Sequence, residues 1–160
     1  MKREILIVGL FLVVVSASIG AVNAVYLVSS SESTNSEGDS IIFDKGKLEI
    51  QGIEFAIPDG YLEVNNEKIL GSESKSFKGL KESFEKFVKG KEEIIVKVSY
   101  SNNTSEVEYA PVNTSVEKTI SNQTGWLIED NFASVFTYVK DEKIVQIIAP
   151  NETTIAYIIK

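Results

Sequence analysis

From Ile5 to Val28 the chain runs for 24 residues without a charged side chain, and this stretch constrains the rest more than any other. As a helix it is roughly 36 Å long, at about 1.5 Å per residue. A hydrocarbon core is roughly 30 Å thick, so the run spans it with some tilt. Ile5 to Val15 is almost entirely Ile, Leu, Val and Phe, Ser16 to Ala24 is small and mildly polar, and Val25-Tyr26-Leu27-Val28 is apolar again. A buried helix of a globular protein would normally show a polar face, which this run lacks. Two readings fit: an uncleaved transmembrane anchor over 5–28, or a signal peptide cleaved after Ala24 at the A-x-A-like Val22-Asn23-Ala24. The apolar restart after Ala24 favours the anchor.

Orientation follows from the flanks. Lys2 and Arg3 precede the run, and the next basic residue after it is Lys45. The positive-inside rule makes residues 1–4 a cytoplasmic tail and places the C-terminal domain outside the cell, on a single-pass membrane protein whose lipid-bilayer contact is residues 5–28. Residues 29–40, a Ser-rich stretch without an apolar side chain, read as a flexible linker. Residues 41–160 then suffice for one exported domain.

Composition excludes several functions. The chain has no His and no Cys. That removes imidazole bases, Ser-His-Asp triads, thiol nucleophiles, disulfides and the usual zinc ligand sets. Formal net charge is −7, and 14 basic residues face 22 acidic ones beyond the leader. Such a balance opposes nucleic acid as a partner and adhesion to an anionic lipid surface. Gly46-Lys47 and Gly90-Lys91 lack the preceding glycine of a phosphate loop. No calcium-loop pattern occurs. The expectation is a domain with no cofactor, no metal and no catalytic residues.

The exported part reads mostly as strands. Ile41-Ile42-Phe43 is closed by a turn at Asp44-Lys45-Gly46-Lys47. Leu48 and Ile50 alternate with polar residues, and the phase flips after Gly52 to Ile53, Phe55 and Ile57, which marks a bulge or tight bend. Pro58-Asp59-Gly60 is turn chemistry before a strand starting at Tyr61. The stretch 72–91 is ambiguous, because Phe77, Leu80, Phe84, Phe87 and Val88 also match a helical stripe. Pairing of strands within 84–100 is favoured, with a turn at Lys89-Gly90-Lys91. Weaker strands are predicted at 106–109 and 116–120, and a stronger one at Gly125 to Glu129. Phe132 to Val139 and Lys143 to Ala149 form a hairpin whose strands are apolar on both phases, so they should be central and covered on both sides. A short terminal helix from Glu152 is capped by Asn151, with Ile155, Ile158 and Ile159 packing on the sheet. The fold class expected is α+β: an antiparallel β-sheet with helical cover, preceded by the transmembrane helix. A pure β-sandwich is the alternative.

Gly52-Ile53-Glu54-Phe55-Ala56-Ile57-Pro58-Asp59-Gly60-Tyr61, followed by Phe87-Val88-Lys89-Gly90-Lys91, Gly125-Trp126, the hairpin and the final helix, resembles uncharacterised membrane-anchored envelope proteins of methanogenic archaea. More distantly the same stretch is similar to the PsbP-like α/β sandwich. The resemblance implies a fold and an envelope location, and no catalytic residues.

Five N-x-[ST] sequons occur, at Asn102, Asn103, Asn113, Asn122 and Asn151, against about 1.6 expected by chance from the Asn, Ser and Thr content. They are candidate N-glycosylation sites. Loops rich in Asn, Ser and Thr generate sequons anyway. Trp126 is the one tryptophan and a candidate ligand contact, although a lone Trp after Gly in a strand reads first as core. The pairs Glu92-Glu93, Glu129-Asp130 and Asp141-Glu142 are the acid–base material. A glycosidase-like mechanism needs two carboxylates facing each other across a cleft, which neighbours in turns do not provide.

The function expected is therefore non-catalytic: binding or scaffolding at the cell envelope, against an envelope protein or a polysaccharide. A small-ligand carrier with a cleft between sheet and helix is the alternative. A carboxylate-based enzyme is the least favoured.

Overall fold

Most of the hairpins are set by two-residue turns. Lys45-Gly46, Gln51-Gly52, Ser121-Asn122 and Asp141-Glu142 each hold both residues at positive φ, between 46° and 78°. This is the left-handed geometry whose twist matches that of the flanking strands. The computed structural model describes residues 39–101 and 111–159. The leader run 5–28, Asn102, Asn103 and the strand predicted at 106–109 lie outside the described residues. Among the described residues no helix is long and apolar enough to cross a membrane.

Strands β1 (Ile41–Asp44), β2 (Lys47–Ile50) and β3 (Ile53–Ala56) form a three-stranded sheet in that order. The phase flip at Gly52 is a tight bend. Ile50 pairs directly with Ile53 across the Gln51-Gly52 turn, so residues of opposite parity share one face.

The second sheet has eight strands. These are β4 (Leu62–Glu63), β5 (Ile69–Glu73), β6 (Lys81–Lys89), β7 (Glu92–Tyr100), β8 (Val116–Ile120), β9 (Gln123–Glu129), β10 (Ser134–Lys140) and β11 (Lys143–Ala149). Their order is β4-β6-β7-β11-β10-β9-β8, with β5 also paired to β6. Every pairing is antiparallel. The ambiguous stretch resolves as the β6–β7 hairpin, and β10 and β11 are interior strands, as their two-phase apolarity requires. Helix α1 (Glu152–Ile158) follows, and Asn151 caps it by accepting from the Thr154 N–H at 2.9 Å.

One face of the large sheet carries the core. Phe87, Ile94, Val96, Val98, Leu127, Phe136, Val145 and Ile147 meet Leu48, Ile50, Ile53 and Phe55 of the small sheet and Ile155, Ile158 and Ile159 of the C-terminal segment. The cover is thus shared between a helix and a three-stranded sheet. Phe43 lies edge-on to Phe87, with ring centroids 4.8 Å apart, in the T-shaped arrangement aromatic pairs favour.

Three expectations change. Phe132 is not a strand residue: it is 84% exposed and β10 begins at Ser134. The Asp130 carboxylate accepts the N–H groups of Phe132 (2.6 Å) and Ala133 (2.9 Å), which holds this segment in a side-chain-closed turn. Trp126 is absent from the core, lying half-buried on the opposite face across from Thr137 and Glu117. Asp39 and Ser40, linker by composition, are bound into the body: the Gln51 N–H donates to the Ser40 carbonyl at 2.9 Å.

Candidate functional site

Strand β6 departs from the rule that a core-facing strand face is apolar. Its partners fix the parity. Ser83 pairs with Val98, Glu85 with Val96 and Phe87 with Ile94, so Ser83 and Glu85 lie on the core face beside Phe87. Both are fully buried. Burial of such groups is tolerated only where they find partners, and the surrounding elements supply them in two clusters.

The first cluster forms where residue 39 joins the body. The Tyr100 hydroxyl donates to Asp39 Oδ1 at 2.6 Å, and Lys81 Nζ stands 3.5 Å from Asp39 Oδ2. Beneath them, Ser83 Oγ accepts the Gly71 N–H at 3.0 Å and the Gln51 side-chain amide at 3.2 Å, and lies 3.3 Å from the Tyr100 hydroxyl. The Gly71 N–H is free to do this because β5 bulges. Ile69 pairs with Phe84 but Ser72 pairs with Glu82, so one extra residue is accommodated between them. Gly71 is required twice over. Its φ is +63°, and a methyl group there would stand 2.2 Å from Asp39 Oδ2. Burial, then the bond to Asp39, pushes the Tyr100 hydroxyl up to about 12, so it remains a donor throughout the physiological range.

The second cluster holds Glu85, Lys68 and Glu63. Lys68 Nζ is 2.9 Å from Glu85 Oε2 and 3.5 Å from Glu63 Oε1. Both Glu85 oxygens are buried, and the Lys68 ammonium at 2.9 Å is the charge that compensates them. Burial raises the Glu85 pKa, Lys68 pulls it down and Glu63 raises it again, leaving it at about 7 against the usual 4.5. A carboxyl held near neutrality exchanges its proton easily. Glu85 faces packed side chains and the Lys68–Glu63 pair.

On the opposite face a register row crosses the sheet: Phe84, Lys97, Gln146, Thr137 and Trp126. Lys97 lies over the Phe84 ring, 5.8 Å from its centroid, and 3.8 Å from Glu82 Oε2. Gln146 donates to Thr137 Oγ1 at 3.3 Å. Thr137, Gln146 and Lys97 are buried, and the half-exposed Trp126 carries the row on to Glu117 of β8.

The carboxylate pairs singled out in sequence are dispersed. Glu92 accepts from the Tyr61 hydroxyl at 2.7 Å, Glu93 pairs with Lys86 at 3.3 Å, Asp130 closes its turn, and Asp141-Glu142 is an exposed hairpin tip. No two of them face each other across a cleft. Among the described residues no group of His, Cys, Asp and Glu is arranged to hold a metal ion. The sequon residues Asn113 and Asn122 are exposed in turns, and Asn151 is exposed at the cap of α1.

No family model matches the chain, and no curated protein or solved structure matches it.

Proposed function

We propose that the chain is a single-pass envelope protein whose acidic exported domain binds or scaffolds without catalysis, held to the bilayer through residues 5–28. The observation that carries this reading is a polar cluster of buried and half-buried groups. Asp39, Lys81, Ser83, Tyr100 and Gln51 bond to one another, at the point where residue 39 leads back towards the Ser-rich spacer. They fix that junction to β6 and β7, which suits a body that must bear load against a tether. The uncharged leader, the positive flank and the resemblance to archaeal envelope proteins support the same placement. A polysaccharide or an envelope protein is the partner class proposed.

A small-ligand carrier would need room between the large sheet and its cover. Leu48, Ile50, Ile53, Phe87, Phe136 and Ile155 occupy that layer, none more than 1% exposed. Protease treatment of intact cells tests the proposal. Loss of the body while a membrane-retained N-terminal fragment survives is the expected result. A body protected until the membrane is broken would refute it.

A further inference from the structure

The five sequons are scattered in sequence, and the fold brings the described ones to one side. Strand β8 ends the order of the large sheet and, among the described residues, pairs with β9 alone. Asn113 lies in the exposed turn just before β8, and Asn122 in the two-residue turn just after it. Side chains tie helix α1 to the same strand and the turn after it: Lys118 of β8 pairs with Glu152, and Ser121 Oγ donates to the Ala156 carbonyl at 2.8 Å. Asn151, the residue before Glu152, therefore joins the other two at this edge. No sequon occurs between residues 39 and 101, which form the small sheet and β4–β7.

The edge gains from cover. Val116, Glu117, Lys118 and Thr119 are exposed, Val116 at 66%. An open edge strand presents unpaired backbone N–H and C=O groups to any other strand.

We propose that Asn113, Asn122 and Asn151 carry N-linked glycans, and that these sugars screen the β8 edge from pairing with a second copy of the chain. The inference rests on the outward placement proposed above. In the transfer, Asn Nδ2 forms a bond to the anomeric carbon of a lipid-phosphate-linked oligosaccharide. The bond from that carbon to the phosphate oxygen breaks, the amide gives up one proton, and the lipid phosphate leaves. At Asn151 the cap does not obstruct this. Oδ1 takes the bonds from the Thr154 N–H and hydroxyl, which leaves Nδ2 for the sugar.

The test uses the full chain purified from membranes of the cells that make it. Glycopeptide mapping is expected to find sugar at all three asparagines. Asn113→Gln, Asn122→Gly and Thr153→Ala each remove one sequon while sparing the turn or cap, and each should lower the intact mass by one glycan. Trimming of the sugars by an endoglycosidase, which cleaves within the glycan and keeps each asparagine, should produce a concentration-dependent dimer in sedimentation. Any of the three peptides found wholly unmodified, in protein that protease shaving shows to be outside, overturns this inference alone. A deglycosylated chain that stays monomeric overturns the screening role. A body shielded from protease on intact cells overturns this inference and the placement together.

Discussion

The Tyr100 hydroxyl reaches the Asp39 carboxylate across 2.6 Å, joining residues 61 apart in the chain. The bond ties the end of β7 to a residue that precedes β1. A hydrogen bond to a charged acceptor contributes about 1.5–3 kcal/mol. Tyr100→Phe keeps the ring in place and removes the hydroxyl with its bond to Asp39 and its contact to Ser83, while Asp39 keeps Lys81 at 3.5 Å. The expected loss is about 1.5 kcal/mol of unfolding free energy. Urea denaturation of the full chain, followed by the fluorescence of its one tryptophan, measures it. A double-mutant cycle with Asp39→Asn should return most of that loss as coupling, and additive effects would contradict the contact.

Glu85 makes stability depend on pH in the direction opposite to a surface carboxylate. Its folded pKa is raised to about 7. Between the ordinary carboxylate range and that value the folded state holds a proton that the unfolded state has released. Stability from this group is therefore complete below about pH 4.5 and declines as pH rises through 7. The loss should be on the order of 2 kcal/mol between pH 5 and pH 8. Glu85→Gln should flatten that slope and raise the melting temperature at pH 8. Melting curves taken at intervals across the range decide the matter, and an unchanged slope in the variant would assign the pH dependence elsewhere.

How much of this was readable in advance varied with the physics behind each element. The β10–β11 hairpin was legible because apolar residues on both phases have only one home, the middle of a sheet. The β6 strand was harder: Phe84 and Phe87 lie on opposite faces of it, and their three-residue spacing imitates a helical stripe. Phe77 and Leu80 completed the imitation, yet they belong to the turn in which the Leu80 N–H bonds to the Phe77 carbonyl. The buried seam had a signal, since Ser83 and Glu85 share the parity of Phe87. Reading it needed the strand to begin at Lys81, three residues earlier than its apolar pattern does. Asp39 had none, because its partners Tyr100 and Lys81 come from distant parts of the chain.

Gly125 faces the core beneath the β10 backbone. A methyl group there would stand 2.3 Å from the Thr137 carbonyl oxygen and 2.8 Å from Tyr138 Cβ. A backbone atom in a paired strand cannot move aside as a side-chain tip would. Gly125→Ala should cost about 3 kcal/mol, in the range of overpacked cores. Gly52→Ala provides the contrast: nothing lies within 4 Å of the added carbon, but φ is +78°, so the expected cost is about 1 kcal/mol from backbone strain alone. Paired denaturation curves should rank the two in that order, and an equal loss would mean that crowding under β10 is relieved.

The Asp141-Glu142 turn offers the reverse experiment. Both residues are held at positive φ, 49° and 58°, where a side chain is disfavoured and Asn-Gly is preferred. Two adjacent acidic side chains also repel each other at the tip of a hairpin whose strands close at the Lys140–Lys143 pair. Replacing them by Asn-Gly removes the strain and two negative charges without touching the ladder. Stability should rise by about 1 kcal/mol, and the same change should accelerate refolding if this hairpin forms early, because its strands lie at the centre of the large sheet. Stopped-flow refolding and equilibrium denaturation of the variant read the two effects separately. A melting temperature no higher than that of the unaltered chain would show that the turn is already relaxed.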